Sequence, residues 1–171
     1  GAFQGTLEGA TVDGSSSAGT EPDVWYTYTA PLSGTVKVDT CGSNGIELLD
    51  TVLSVHTDTG VSGSIANEVA HNDDWEDSGG DTGASCPSSL DSAVAVAVNA
   101  GDALLIRVSR YDADSDGVFN LNVAFEVQTA AQNGSGSWPG SLRQTLAEVP
   151  AGTTVTFDTS LDGGVIALGG T

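Results

Sequence analysis

The chain has 171 residues, of which 23 are Asp or Glu and only 4 are Lys or Arg, so its formal net charge is −19. Nucleic acids and anionic membrane surfaces are bound through clusters of Lys and Arg, so this composition argues against both as partners. The excess of carboxylates instead favours divalent cations, high salt, or both.

The length allows one domain of ordinary size and an appendage, and two full domains would be cramped. Gly, Ser, Thr, Val, Ala and Asp dominate, Met is absent, and short alternating segments recur between turn residues. This profile predicts an all-β fold. No apolar run approaches the length of a membrane span.

Alternation of apolar and polar residues with a period of two predicts a series of short strands. The aromatic run Asp23–Pro31 is the strongest, and its Trp25 and Tyr26 should point to opposite faces. We expect a packing role for Trp25, with a sugar-stacking platform as the alternative. Further strands are predicted within residues 3–14, 34–40, 48–57, 68–77 and 93–99.

The segment from Leu104 to Glu126 contains two more alternating runs, and we expect them to pair as a β-hairpin around an acidic loop. The alternating apolar residues are Leu104, Ile106, Val108, Phe119, Leu121, Val123 and Phe125.

The acidic loop carries Asp112, Asp114 and Asp116 at every second position and is followed by Gly117. This pattern matches the first half of a calcium-binding loop, in which the glycine permits a sharp turn. Val123 stands where the bidentate Glu of an EF-hand would be, so other oxygen ligands must come from elsewhere in the chain. The alternative is a solvated acidic turn.

A second acidic cluster follows the predicted strand at residues 68–77. Asn72, Asp73 and Asp74 begin it, and Glu76 and Asp77 continue it. Since calcium takes six to eight oxygen ligands, this cluster could complete the shell that the first loop begins.

An enzyme would require a nucleophile with its base, a paired acid and base, or an open metal site with His ligands. His56 lies in an alternating strand, where a packed or half-exposed role is usual, and nothing singles out a serine partner for His71. Cysteines and histidines do not cluster, which disfavours zinc. We therefore expect a non-catalytic protein with Ca²⁺ as its cofactor.

Cys41 and Cys86 stand in turn-like surroundings. They form either one disulfide of an exported protein or two free thiols of a cytosolic one.

Residues 128–140 are rich in Gly, Ser, Ala and Gln and predict a linker. Leucines four residues apart, after a serine that can cap, predict a short helix over residues 141–149. Two strands are predicted at residues 153–158 and 164–168, in a unit too small to bury a core of its own.

Residues 1–127 resemble the bacterial pre-peptidase C-terminal family, the jelly-roll-like antiparallel β-sandwich modules of secreted peptidases and surface proteins. The resemblance rests on the order and spacing of several motifs, and no single motif is decisive. They are Gly9–Gly14, Asp23–Pro31, Gly34–Gly42, Asp50–Val55, Asn72–Asp74, Cys86 before a Ser-rich strand, and the turn Ala100–Asp102 with Ile106–Val108.

The resemblance implies a non-catalytic module that binds calcium in loops between strands and serves in adhesion, substrate binding or secretion. It implies that Asp50 and the turn Asn72–Asp74 hold a cation or fix loops, and that Cys41 pairs with Cys86. The Asp112–Asp116 loop is more acidic than is typical of that family, which leaves the number of ions open.

Residues 140–158 look like the opening cap of a parallel β-helix of bacterial surface proteins. Either the sequence is a piece of a longer protein, or residues 141–171 dock on the sandwich or on a neighbouring copy.

We expect an extracellular or cell-surface adhesion or self-assembly module, whose tail could donate a strand to another copy of the chain. The alternatives are a carbohydrate-binding module that stacks sugars on Trp75 or Tyr111, and an accessory domain of a secreted peptidase. The partner would be the chain itself or a surface polysaccharide.

Overall fold

The computed structural model describes residues 1–43, 49–61, 63–77, 82, 84–113, 117–129 and 154–157. Within these residues the chain forms nine strands and two short 3-10 turns, at Ile65–Asn67 and Trp75–Asp77. The strands are β1 (Ala2–Thr6), β2 (Asp23–Thr29), β3 (Gly34–Asp39), β4 (Thr51–Thr57), β5 (Glu68–Asn72), β6 (Ala93–Val98), β7 (Ala103–Arg110), β8 (Val118–Thr129) and β9 (Thr154–Phe157).

Two sheets form a sandwich. The first has the order β1-β8-β3-β6, with β9 added on β8, and the second has the order β2-β7-β4-β5. The first eight strands pair antiparallel in a nested way, β1 with β8, β2 with β7, β3 with β6 and β4 with β5. This is the strand order of a jelly roll, so the predicted all-β, jelly-roll-like sandwich is confirmed.

The predicted hairpin around the acidic loop is wrong. β7 pairs with β2 and β4, whereas β8 pairs with β1, β3 and β9, so the chain between them crosses from one sheet to the other. Alternation shows that each strand buries one face, but it does not identify the neighbouring strand. In a nested order, β7 and β8 take their partners from distant parts of the chain.

The core lies between the sheets and is built from the alternate residues of the strands. Leu104, Ile106 and Val108 of β7 face Phe119, Leu121 and Phe125 of β8 across it, and all six are buried. Tyr26 of β2 packs edge-on against Phe119, with ring centroids 6.3 Å apart. Such aliphatic and aromatic packing supplies most of the stability of a sandwich.

The outer face of the second sheet carries a buried polar layer that was not predicted. The guanidinium of Arg107 is fully buried there and donates from Nε to Asp23 Oδ2 at 2.8 Å. It also donates to Ser16 Oγ at 3.2 Å and to the carbonyl oxygen of Glu21 at 2.8 Å. Residues 13–21 are thereby held over the sheet, and the charge of Arg107 is paired.

Asp23 is the second half of this layer. Its carboxylate accepts hydrogen bonds from the backbone N–H groups of Asp13 and Gly14, both at 3.2 Å, and from Trp25 Nε1 at 2.8 Å. With Arg107, Asp23 therefore satisfies both of its buried oxygens. The indole of Trp25 is held in place by the same carboxylate.

Trp25 lies on the outer face of the second sheet and not in the core, where its neighbour Tyr26 packs. Its ring lies against His56, with centroids 5.1 Å apart. The backbone of Gly14 and Gly63 approaches the ring so closely that a Cβ at either glycine would lie within 2.3 Å of a ring carbon. These glycines are therefore required by packing.

His56 is fully buried, in agreement with the packed role expected for it. Its Nδ1 donates to the carbonyl oxygen of Ser64 at 3.0 Å, so Nε2 accepts from the hydroxyl of Ser54 at 2.9 Å. Burial lowers the pKa of His56, which keeps the ring neutral. Ser54 is also fully buried, so this pair has a structural role.

The C-terminal segment contributes β9, which pairs parallel with residues Glu126–Thr129 of β8. β1 pairs with residues Val118–Asn122 of the same strand, so β9 extends the edge that β1 occupies. The strand predicted at residues 153–158 is confirmed by β9. The predicted helix at residues 141–149 and the strand at residues 164–168 lie outside the described residues.

Replacing Arg107 with Met should lower the free energy of unfolding by about 3–5 kcal/mol, because the Asp23 carboxylate would stay buried without a counter-charge. Urea denaturation followed by circular dichroism measures this change.

The double variant Asp23→Asn with Arg107→Met separates the cost of an unpaired buried charge from the cost of the altered side-chain shape. It should recover part of the lost stability, since no unpaired charge remains. A double variant as unstable as the sum of its single variants would show that the ion pair is not the cause.

Candidate metal centre

Three carboxylates meet at one end of the second sheet. One oxygen from each of Asp50, Asp73 and Asp74 lies within 4.8 Å of the others. All three residues are partly buried. Such a group of convergent oxygens is the donor set that hard divalent cations prefer.

The strand order brings these residues together. Asp50 directly precedes β4, and Asp73 and Asp74 directly follow β5. Because β4 and β5 are antiparallel, with Leu53 opposite Asn72, the start of one lies beside the end of the other. The spacing of 23 positions between Asp50 and Asp73 in the sequence therefore closes into one site.

The loop after β7 reaches the same end. The backbone N–H of Tyr111 donates to the carbonyl oxygen of Asp50 at 3.0 Å. The Asp112 carboxylate is close enough to contribute to the pKa of Asp50. The two acidic clusters predicted from the sequence thus lie at one end of the sandwich, at least as far as Asp112. Asp114 and Asp116 lie outside the described residues.

The electrostatics of the cluster are unfavourable for a metal-free protein. Burial, followed by the charges of Asp73, Asp74 and Asp112, raises the pKa of Asp50 to about 6. Burial, followed by Asp74 and Asp77, raises the pKa of Asp73. Both shifts have the physical cause that like charges in a partly desolvated site disfavour ionisation.

Two oxygens of the cluster are buried without a hydrogen-bond partner in the part of the chain that the structure describes. Among the described residues, the Oδ1 atoms of Asp50 and Asp73 are buried and accept no hydrogen bond. Buried carboxylate oxygens are normally paired, because leaving one unpaired costs about 1–3 kcal/mol or more. These atoms therefore fit a site for a cation, with Asp50, Asp73 and Asp74 as its ligands.

Asn72 is placed differently from the three aspartates. Its Nδ2 donates to the carbonyl oxygen of Asp74 at 2.8 Å, and its Oδ1 accepts from the N–H of Ala93 at 2.8 Å. Both ends of the amide are used to close the turn on β6. Of the two roles that the resemblance implied, this geometry fits loop fixing.

A network of hydroxyl groups beneath the cluster was missed by the sequence reasoning. The Ser92 hydroxyl lies 2.6 Å from the carbonyl oxygen of Asp73, and the Thr40 and Thr51 hydroxyls lie 2.7 Å apart. Thr40 Oγ1 also accepts from the N–H of Ser92 at 2.8 Å. These buried groups connect the ends of β3, β4, β5 and β6 to one another. A Ser or Thr beside a strand is too common to have predicted them.

The disulfide joins Cys41 to Cys86, as the resemblance implied, with Cα atoms 4.7 Å apart. It links the segment after β3 to the segment before β6. The carboxylate of the fully buried Asp91 accepts from the N–H of Gly42 at 3.1 Å, next to the disulfide. The backbone carbonyl of Asp91 accepts from the N–H of Trp75 at 2.8 Å, so the bridge and the acidic turn share one support.

The two aromatic residues proposed for sugar stacking both lie near the cluster but differ in exposure. Trp75 begins the short 3-10 turn after Asp74 and is partly buried. Tyr111 is 55% exposed. Of the pair, Tyr111 presents the more accessible ring.

Several solved structures have a similar fold, among them two of low sequence identity. The pre-peptidase C-terminal domain of a collagenase from Bacillus anthracis is 14% identical over 72% of this chain and 87% of that chain, with a TM-score of 0.44. This domain belongs to the family that the sequence resembles. PliG from Aeromonas hydrophila, a periplasmic inhibitor of g-type lysozyme, is 14% identical over 72% of this chain and 84% of its own, with a TM-score of 0.39.

No family model matches the sequence, and no curated protein is significantly similar to it.

Among the described residues, no helix has the length and apolar character needed to cross a membrane. The disulfide accords with a secreted or otherwise exported protein, since such bonds persist in oxidising surroundings.

Replacing Asn72 with Ala should lower the free energy of unfolding by about 2 kcal/mol, because two backbone groups lose their partners. It should also weaken cation binding, since Asp73 and Asp74 would no longer be held beside Asp50. Thermal melting with and without calcium measures both effects.

Asn67→Ala is the matched control. Asn67 Oδ1 accepts from Ser64 N at 2.7 Å and Nδ2 donates to the Thr57 carbonyl at 2.9 Å, at the other end of the sheet. It should cost no more stability than Asn72→Ala, because its hydrogen bonds are more exposed, and it should leave the calcium response intact. Equal loss of the calcium response in both variants would contradict the positioning role of Asn72.

Proposed function

We propose that the protein is a non-catalytic, calcium-stabilised β-sandwich that serves in adhesion at the cell surface. The observation that carries the proposal is the group of Asp50, Asp73 and Asp74, with two buried oxygens that accept no hydrogen bond among the described residues. A bound Ca²⁺ would supply positive charge to these carboxylates. Asp50 and the turn after β5 would then be held together, and the loops at this end would be ordered.

The supply of positive charge within the chain also supports a bound cation. Of the 4 basic residues in the sequence, Lys37 pairs with Glu126 at 3.0 Å, and Arg107 pairs with Asp23 at 2.8 Å. The pKa of Asp50 is raised by burial and by three carboxylates, with no cation among its causes.

Calcium should raise the melting temperature relative to the protein in chelator. A ligand that binds only the folded state at ten to a hundred times its Kd adds about 1.4–2.7 kcal/mol, which corresponds to a rise of roughly 3–10 °C for a chain of this size. Differential scanning calorimetry in 10 mM calcium and in EDTA measures it. An unchanged melting temperature would contradict the metal site.

Asp50→Asn should stabilise the protein in chelator and remove most of its response to calcium. In EDTA at pH 7.5 the variant should be more stable than the original chain by about 1–2 kcal/mol, because one of the repelling, partly screened charges is gone. In calcium the variant should show little further gain. A gain in stability in chelator, together with a lost response to calcium, is expected of a cation ligand. A residue with only a structural role would show neither.

The pH dependence provides the control. The folded-state pKa of Asp50, about 6, lies above the ordinary value of 3.8 for an Asp side chain. The stability associated with its protonation is therefore fully present below about pH 4 and is lost as the pH rises through about 6. The difference between Asp50→Asn and the original chain in EDTA should thus vanish below about pH 4. A difference that is independent of pH would contradict the electrostatic explanation.

A surface polysaccharide is the partner that the exposed ring of Tyr111 favours. Tyr111 is 55% exposed, and its backbone is anchored to Asp50 beside the acidic cluster. An exposed aromatic ring next to a cation site can stack on a sugar while the cation binds hydroxyl groups.

Tyr111→Ala should reduce calcium-dependent sedimentation with insoluble peptidoglycan, chitin or cellulose by at least about threefold, the lower range for a lost stacking contact. Phe3→Ala is the control, because Phe3 is also 55% exposed but lies on β1. Equal loss in the two variants, or no binding by the original chain, would contradict a sugar-binding role for Tyr111.

Self-assembly by strand donation is less well supported than adhesion. β9 of the same chain already pairs with residues Glu126–Thr129 of β8. A strand donated by another copy would have to displace it.

A further inference from the structure

A pocket of about 380 Å³ lies on the outer face of the second sheet, away from the acidic cluster. Asp13, Trp25, Asp58, Val61 and Leu105 contribute to its walls. Asp58 follows the end of β4, and Leu105 lies near the start of β7, whereas the acidic cluster lies at the start of β4 and after the end of β7. The pocket and the acidic cluster therefore belong to opposite ends of one sheet.

The aromatic wall of the pocket is preorganised. The indole N–H of Trp25 is held by Asp23, which is itself held by the fully buried Arg107. The backbone of Gly14 and Gly63 confines the ring, and His56 lies against it. Since the indole donor is already used, what Trp25 offers a ligand is the π surface of its ring, which attracts cations.

The polar groups of the pocket are acceptors. Asp58 Oδ1 accepts from the N–H of Gly60 at 2.9 Å, and Asp13 accepts from the Thr11 hydroxyl at 3.3 Å, which leaves each carboxylate further lone pairs. The described lining residues include no Lys, Arg, His, Asn or Gln side chain. A neutral sugar, whose hydroxyl groups both donate and accept, is usually met by a mixture of donors and acceptors, and this lining offers acceptors.

We propose that this pocket binds an arginine side chain of a partner polypeptide, with the guanidinium against Trp25 and its N–H groups toward Asp13 and Asp58. A guanidinium combines a planar face that stacks on aromatic rings with N–H donors suited to carboxylates. The net charge of −19 attracts such a group over longer range. This site is distinct from the proposed calcium site, so either can fail without the other.

The test titrates the full chain, in calcium, with N-acetylarginine amide and with its neutral isostere N-acetylcitrulline amide, and follows ¹H–¹⁵N correlation spectra. We expect saturable shifts at Trp25, Gly60 and Gly63 with a Kd on the order of 1–10 mM for the arginine compound, as one cation–π contact and two exposed ion pairs allow. Binding should weaken, and the shifts at a given ligand concentration should become smaller, as NaCl is added. The citrulline compound should bind at least about threefold more weakly.

Asp13→Asn with Asp58→Asn is the decisive variant, because Asn keeps an acceptor for the Thr11 hydroxyl and for Gly60 N–H while removing both charges. It should weaken binding of the arginine compound by about 3- to 10-fold. Glu8→Gln with Glu126→Gln removes the same net charge from positions outside both the pocket lining and the acidic cluster, and should change binding by less than about twofold.

Three results of these titrations would overturn the proposal. They are equal binding of the arginine and citrulline compounds, equal weakening by the two double variants, and shifts that map to Tyr111 and Asp74 instead of the pocket. Binding of methyl β-glucoside at Trp25 in preference to the arginine compound would assign the pocket to a sugar and would also overturn it.

Discussion

The nested pairing of the first eight strands determines where every functional group of the molecule lies. Because β4 pairs antiparallel with both β5 and β7, the residue before β4 and the residues after the other two strands lie at one end. The pairing of β3 with β6 brings Thr40 and Ser92 to the same end from the first sheet. Carboxylates and hydroxyl groups that are far apart in the chain therefore meet there, and the hydroxyl groups join the two sheets beneath the carboxylates.

Most of the strands could be predicted from the sequence, because burial of one face leaves a period of two that survives in the residue pattern. The predicted runs at residues 23–31, 34–40 and 93–99 differ from the observed strands by one or two residues at one end. The pairing of strands could not be predicted in this way. The hairpin expected between β7 and β8 failed because alternation is the same whether a strand's neighbour is adjacent in sequence or distant.

The candidate site could be predicted only in part, again because contacts between distant residues leave no local pattern in the sequence. Asp50 and the turn Asn72–Asp74 were named from motifs that resemble a known family, and the structure brings the three aspartates together. Asp91, Ser92 and Thr40 carried no signal of their own, since an isolated Ser or Thr beside a strand is common. The buried Arg107 was also missed, because its partner Asp23 lies 84 positions away and the two meet only once β2 pairs with β7.

Two groups of buried or partly buried carboxylates are stabilised to very different extents by the chain itself. Asp23 has a guanidinium and three N–H donors, so its charge is compensated by the chain itself. Asp50 and Asp73 share a site with another carboxylate, and each has a buried oxygen that accepts no hydrogen bond among the described residues.

A polypeptide could reduce such repulsion by placing a Lys or Arg in the cluster, as it does at Asp23. With 4 basic residues against 23 acidic ones, most carboxylates of this chain have no basic partner available. Those that stay in water are screened by solvent and salt, whereas the partly buried group is screened poorly. On the proposed function, this shortage of basic residues makes the cluster depend on a cation from outside, and the stability of the protein should follow the supply of that cation.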